Sequence, residues 1–295
     1  MTQTLYIVDV FALRRYAGNP LAVVIGTEPL TDETMQQIAA ETNYSETTFV
    51  TPHPNRHGGY AVRLFTPARE IDFAGHPILG TAWVIRRHLS LKHEGPLRLE
   101  LPVGPIAVHF ETDAATGEEI LWFQAPPMTL GPACETAAMA HALGIAPEDI
   151  DAAAPIQQVS AGTAAMIVPL VSLDALHRSR LDLAAYAPLA ERGFPPLVYL
   201  FCRETEDPEN DLGARFFFEA HGVREDPATG NGAAFLGAWL LEHRMSGDAD
   251  LSLRIEQGRS VNRPSLVMLR ARRQDGAPDI RVGGRVIPVV KGELL

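Results

Sequence analysis

Cysteine is scarce: only Cys134 and Cys202 occur among 295 residues. Two thiols make neither a disulfide framework nor a structural zinc set. Lysine is equally rare. Lys92 falls in a polar loop and Lys291 near the end of the sequence, which argues against a Schiff-base enzyme using pyridoxal phosphate. Positive charge is short overall, 25 Lys+Arg against 36 Asp+Glu for a net −11, and this disfavours nucleic acid or an anionic membrane surface as partner. No apolar run reaches the roughly 18 residues of a membrane span, and Met1-Thr-Gln-Thr-Leu-Tyr-Ile-Val-Asp9 has no basic n-region, so the expected location is the cytoplasm. Several motifs are missing as well. The sequence holds no Gly-x4-Gly-Lys-Ser/Thr loop, no Gly-x-Ser-x-Gly elbow and no His-Glu-x-x-His, the carriers of nucleotide, serine-hydrolase and zinc chemistry. Gly230-Asn-Gly232 starts like a dinucleotide fingerprint, but its third glycine would fall on Phe235. His53 and His57 have helical metal-pair spacing, yet the prolines and glycines around them forbid the helix. Neither a metal nor a cofactor is therefore expected.

What is present is ample apolar matter, 46% of the chain, enough for two domains of about 150 residues each, and one stretch written twice. The first copy runs from Arg63-Leu-Phe-Thr-Pro through Glu70 to Gly75-His76-Pro77, followed by apolar residues 78–85 and Arg86-Arg87. The second runs from Arg215-Phe-Phe-Phe through Glu225-Asp226 to Thr229-Gly230-Asn231-Gly232, followed by apolar residues 233–241. The arginines lie 215 − 63 = 152 apart and the glycines 230 − 75 = 155 apart. Each copy reads as a strand, a glycine-containing turn and a helix. The first N–H groups of such a helix lack intrahelical partners and carry partial positive charge, so each turn is suited to an anion. Two such turns facing one another would grip a carboxylate. The plainer explanation is that strand, turn and helix make a common unit.

Residues 5–11 and 21–25 read as strands around the turn Gly18-Asn19-Pro20. Asn19 is the polar residue of interest there, although asparagine also suits a plain turn. Thr31 caps a helix with Asp32 and Glu33 in its first turn and Met35, Ile38 and Ala39 on one face, ending near Asn43. Tyr44-Ser45-Glu46-Thr-Thr-Phe49-Val50 then has strand composition with an acid at the helix-to-strand junction. Packing by Tyr44 and Phe49 would partly desolvate Glu46, raise its pKa and fit it for moving a proton at carbon; the alternative is an ordinary surface glutamate. His76, at a helix start, is within reach of an anion or else a capping or core histidine.

Strands are further expected at 97–101, 106–110 and 120–123, and Pro126-Pro127 marks the domain boundary. A helix over 134–143 stopped by Gly144, strands at 157–160, 166–171, 197–202 and 215–218, and a solvated acidic loop at 204–211 follow. Strands at 251–256 and 266–271 flank Gln257-Gly258 and Arg263-Pro-Ser265. The short apolar piece 286–290 could pair with either domain, which gives domains of 1–125 and 126–282 with 283–295 able to return to the first.

The set Glu46, His76, Asp226 and two helix N-termini suits cofactor-free proton transfer beside a carboxylate, either isomerisation or epimerisation. Gly18-Asn19-Pro20-Leu-Ala-Val-Val, Asn43-Tyr-Ser45-Glu46-Thr-Thr-Phe49, Phe65-Thr-Pro-x-x-Glu70-x-x-Phe-Ala-Gly75-His76-Pro77, Asp226-Pro-Ala-Thr-Gly230 and Arg263-Pro-Ser265 together resemble the phenazine-biosynthesis isomerase (PhzF-like) family. The resemblance spans nearly the whole chain in the family's order. It implies the diaminopimelate-epimerase-like α+β fold: two pseudo-symmetric halves, each a sheet curled around a central helix, with the active site in the cleft between them. It also implies an enzyme that isomerises a dihydro-hydroxyanthranilate by shifting a proton, without metal or nucleotide, on a small carboxylate substrate, and a homodimer. By position Glu46 resembles the family's acid/base, with Ser45 beside it. His76 and Asp226 match its supporting polar residues, and Gly75 and Gly230 its carboxylate-binding turns. Related epimerases carry a cysteine in each turn, which this sequence lacks. Asn231 stands where many of these isomerases have a small serine. A hydroxy- or amino-acid epimerase and a binding protein without turnover are the other readings.

Overall fold

A computed structural model describes residues 3–26, 28–90, 95–114, 116–218, 223–245 and 250–295. Lys92 and the 219–222 part of the second copy lie outside them. The chain divides into two compact units, Met1–Gln124 with Gly283–Leu295, and Ala125–Val282.

The first unit is built on β-branched, apolar strands. β1 (Gln3–Val10) runs antiparallel to β2 (Asn19–Ile25), β2 parallel to β3 (Glu46–Val50), and β3 antiparallel to β4 (Tyr60–Phe65). The two-residue β5 (Glu70–Ile71) pairs with the end of β4. The start of β4 runs parallel to β6 (Leu97–Leu101), and β7 (Gly104–Thr112) and β8 (Glu119–Gln124) continue antiparallel. Helix α1 (Asp32–Thr42) connects β2 to β3; Thr31 caps it by accepting from Thr34 N–H, and Asn43 ends it in the left-handed conformation. Helix α2 (Gly75–His88) is apolar on nearly every side, the pattern of a helix enclosed by its surroundings. It touches β1, β2, β3, β6, β7 and β8, so the sheet curls around it. The seat is close: a Cβ on Gly80 would come 2.5 Å from Leu21 and 2.9 Å from Val10, so glycine lets the helix reach the sheet. The strand Val286–Leu294 pairs antiparallel with β1 along its length; the sequence allowed either domain as its partner and set its end at 290, and the pairing continues four residues further.

The second unit repeats this order of pairings. β10 (Ile156–Ala161) is antiparallel to β11 (Thr163–Pro169), β11 parallel to β12 (Val198–Cys202), and β12 antiparallel to β13 (Leu212–Phe218). β14 (Val223–Asp226) pairs with β13, as β5 does with β4. Strand Leu251–Gln257 is parallel to β13 and antiparallel to Ser265–Gln274. Helix α6 (Gly230–Glu242) packs on β10, β11 and Ser265–Gln274. At the outer edge β9 (Thr129–Cys134) pairs with β10, the place Val286–Leu294 takes beside β1.

Three local expectations change. The helix expected over 134–143 is α3, Thr136–Leu143, because Cys134 is the last residue of β9. β9, Thr-Leu-Gly-Pro-Ala-Cys, has poor strand composition and owes its conformation to pairing with β10. Between β11 and β12 lie two helices that alternation alone does not show, α4 (Leu173–Arg178), capped by Ser172, and α5 (Leu183–Glu191), capped by Asp182. Ser179, Tyr186 and Leu189 are buried beneath them with the core of the second unit.

Candidate active site

Glu46 is the first residue of β3, just past the left-handed Asn43. Alternation along the strand sends Glu46 and Thr48 to the face covered by α2, where the Thr48 and Thr81 hydroxyls meet at 2.8 Å. Thr47 and Phe49 go to the other face. There Thr47 meets Thr42 of α1 at 2.9 Å, and Phe49 packs edge-on to Phe65 among Val24, Met35 and Ala39. The expected enclosure of Glu46 by Phe49 is therefore replaced by a different one, since odd spacing in a strand puts the two side chains on opposite faces. What encloses the carboxylate is α2. Glu46 Oε2 lies 3.4 Å from His76 Nε2, and the two side chains are 16% and 5% exposed. Ser45 beside it is half-buried.

His76 is held from its other side. Asn19, fully buried at the first position of β2, places its amide nitrogen 3.4 Å from His76 Nδ1. The donor and acceptor roles at this contact follow the tautomer of the ring, and Nε2 is the nitrogen facing Glu46. Burial pushes the His76 pKa down to about 3, opposed only in part by the backbone of Pro20. The imidazole is thus neutral at ordinary pH, and its contact with Glu46 is not an ion pair.

Gly75, His76 and Pro77 form the first turn of α2. Ala74 precedes them without a side-chain cap, the turn holds no acidic residue, and Arg86, Arg87 and His88 make the last turn of α2 basic, whereas the last turn of α6 has no basic residue. The start of α2 therefore offers backbone donors and a positive dipole end beside the buried pair Glu46–His76.

In the second unit the matching turn is built around Asp226. The Thr229 hydroxyl donates to Asp226 Oδ2. Gln257 Nε2 donates to the Asp226 carbonyl at 2.8 Å and to the Thr229 hydroxyl at 3.1 Å, and its Oε1 accepts from Thr229 N–H at 3.3 Å. Gly258, at φ +81°, lets the following turn approach the Pro227 carbonyl, which would lie 2.4 Å from a Cβ. Asp226 and Gly230 are buried and Asn231 half-buried. Helix α6 starts without a side-chain cap or an acidic residue in its first turn. Arg263 and Ser265, part of the motifs above, close that turn through Ser265 Oγ donating to the Arg263 carbonyl at 2.7 Å.

Thr229 and Gln257 are the residues the sequence did not single out. Thr229, three positions after an aspartate, has the spacing of a side-chain turn and was open to detection; Gln257 lies 31 residues from Asp226 and carries no local signal. Cys134 and Cys202 both end strands and are held up to about 11 by burial, as thiols away from either turn. Among the described residues no three His, Cys, Asp or Glu side chains form a metal-holding group, and no helix is long and apolar enough to cross a membrane.

Comparison with known proteins agrees with this architecture. The family model described as "Phenazine biosynthesis-like protein" matches residues 8–292. An uncharacterized isomerase of Mesorhizobium japonicum is 34% identical over 99% of both chains. A trans-2,3-dihydro-3-hydroxyanthranilate isomerase of Pseudomonas chlororaphis is 33% identical over 98% of both. The crystal structure of a Bacillus anthracis phenazine biosynthesis protein of the PhzF family superposes with a TM-score of 0.90 at 26% identity, covering 100% of this chain and 99% of that one. With a turn and a helix start built twice on the same order of strands, and a family model matched over nearly its whole length, the chain belongs to the phenazine biosynthesis-like (PhzF) family of isomerases, with the diaminopimelate-epimerase-like α+β fold.

Proposed function

We propose that the protein is a cofactor-independent isomerase that shifts a proton on a small cyclic carboxylic acid of the dihydro-hydroxyanthranilate type, with Glu46 as general acid/base. The observation that carries this reading is the mostly buried Glu46 carboxylate, 3.4 Å from a neutral His76 at the uncapped start of α2. Beside an uncharged imidazole a carboxylate keeps the basicity needed to take a proton from carbon. The electron pair left behind moves into the adjoining π system, and negative charge builds on the substrate where the backbone N–H groups at the start of α2 can receive it. Glu46, after its captured proton exchanges with solvent, delivers a proton to a different carbon, so atoms and charge balance without a redox partner. Ser45 and Asn19 frame this group. The family resemblance makes Asp226, like His76, a supporting catalytic residue and Gly230 part of a carboxylate-binding turn, with Asn231 bulkier than a serine and so narrowing the acids accepted.

Incubation with such an acid in D2O should place deuterium on ring carbon, and Glu46→Gln should lower that incorporation by roughly 100- to 10,000-fold, the usual contribution of a positioned acid/base. Undiminished exchange in Glu46→Gln refutes the assignment. Inversion at carbon without movement of a double bond would make the enzyme an epimerase, and tight binding with no exchange would make it a binding protein.

A further inference from the structure

Tyr199 lies on β12 and is fully buried. In the strand pairing it stands opposite Phe216 of β13, and Phe216 stands opposite Asp226 of β14. Residues paired in this way project to the same face of a sheet, so Tyr199, Phe216 and Asp226 form one row across three neighbouring strands. Helix α6 covers that row at its first turn. A Cβ on Gly232 would lie 2.5 Å from Tyr199 Cδ2, 2.6 Å from Cε2 and 3.1 Å from Phe216. Gly232 is therefore a notch in which the tyrosine ring seats, edge-on to Phe216 with ring centres 5.3 Å apart. Among the described residues no protein group hydrogen-bonds the Tyr199 hydroxyl, although the oxygen is buried. Burial, with the Asp226 charge adding to it, drives the phenol pKa upward, so the group keeps its proton and remains a donor.

A buried hydroxyl left unsatisfied destabilises a fold relative to phenylalanine, and such groups generally find an ordered water or another polar group. A water in that position needs at least two polar partners. We propose that Tyr199, seated by its ring against Gly232, is the positioning residue of the Asp226 turn, its hydroxyl donating to one ordered water that in turn donates to the Asp226 carboxylate. Thr229 holds the carboxylate from the turn itself, and Tyr199 holds it from the sheet. The effect on turnover rests on the reading above in which Asp226 takes part in the reaction; the physical link between Tyr199 and Asp226 does not.

The test is a double-mutant cycle of Tyr199→Phe and Asp226→Asn in the full chain, read by thermal unfolding and by steady-state kinetics. Tyr199→Phe removes one oxygen and conserves the ring, and the proposal expects it to lower kcat about tenfold, the value of one net hydrogen bond, with KM unchanged. It also expects no rise in Tm for Tyr199→Phe and non-additive Tm shifts in the cycle. A higher Tm in Tyr199→Phe together with additive shifts would mean that the hydroxyl is merely strained, and would overturn the link. Coupled Tm shifts with full activity in Asp226→Asn would uphold the link and reject the catalytic part assigned to Asp226. Additive shifts with an inactive Asp226→Asn would do the reverse.

Discussion

The two copies share their carpentry and differ in their chemistry. In each, an arginine on the fourth strand of the repeat forks onto the glutamate of the next short strand, Arg63 onto Glu70 and Arg215 onto Glu225, and lies over the phenylalanine two positions on, Phe65 or Phe217. The helix begins five residues after that glutamate, at Gly75 or Gly230. Pairing fixes the rest of the correspondence. Thr47 lies opposite Phe65 and Val198 opposite Phe217, so Glu46 of the first unit corresponds to buried Leu197 of the second. Likewise Ile71 corresponds to Asp226, and His76 to Asn231. Besides the shared fork glutamate, the duplicated frame thus places a carboxylate at Glu46 in the first unit and at Asp226 in the second. The lesson is that the features setting the backbone were kept in both copies, while the positions facing each helix start diverged.

The largest expected effect separates the carboxylate-bearing copy from its counterpart. Glu46→Gln should cost the 100- to 10,000-fold in exchange rate given above, whereas the matching Leu197→Met, volume-conserving and remote from Glu46 in the chain, should leave exchange within about twofold and stability within about 1.5 kcal/mol. Next come the two forks. Arg215 is buried with Glu225 and also donates to the Leu176 and Ser179 carbonyls, both at 2.8 Å. Arg215→Ala leaves a buried carboxylate unpaired and should lower stability by about 3–5 kcal/mol in urea unfolding.

His76 gives a smaller, pH-dependent effect that Asn231 cannot mirror. Its folded-state pKa of about 3 lies below the ordinary 6.5, so the unfolded chain binds a proton more readily. The stability it contributes is complete above about pH 6.5 and is lost as pH falls from there through 3, by about 1.4 kcal/mol per unit over most of that window. His76→Gln should flatten the fall of Tm between pH 6 and 4 relative to the wild type; an equally steep fall would contradict a neutral buried imidazole. Smallest is the exposed fork: Arg63 is 34% exposed and is shared between Glu70 and Asp32. Arg63→Ala should cost no more than about 1 kcal/mol, and less in high salt.

The repeat, both helix starts and the position of Glu46 were legible because each is written in a short run of sequence. Arg63 and Gly75 are 12 residues apart, and their pattern recurs from Arg215 to Gly230 with three residues more. What surrounds Glu46 was not legible. Phe49 seemed its neighbour in sequence, but strand alternation sends it to the α1 side, while Asn19 and His76, 57 residues apart, meet only when β2 is laid against α2. Gln257 bracing the Asp226 turn is of the same kind. β9 was missed because Gly131 and Pro132 mask a strand made by its neighbour. α4 and α5 carried capping signals in Ser172 and Asp182 that outweighed the interruption at Pro188.

The pairing of β1 with Val286–Leu294 sets an order on synthesis. Val10 finds its partner in Val286, 276 residues later, and at about 5–20 residues per second a ribosome needs tens of seconds to supply it. The second unit, contiguous from Ala125 to Val282, is fully translated before then. During that interval one flank of β1 has an open row of backbone donors and acceptors, the kind of edge that invites pairing with a stranger. A nascent chain stalled before residue 286 should therefore be more prone to aggregate, or to be captured by a chaperone, than one released after residue 294.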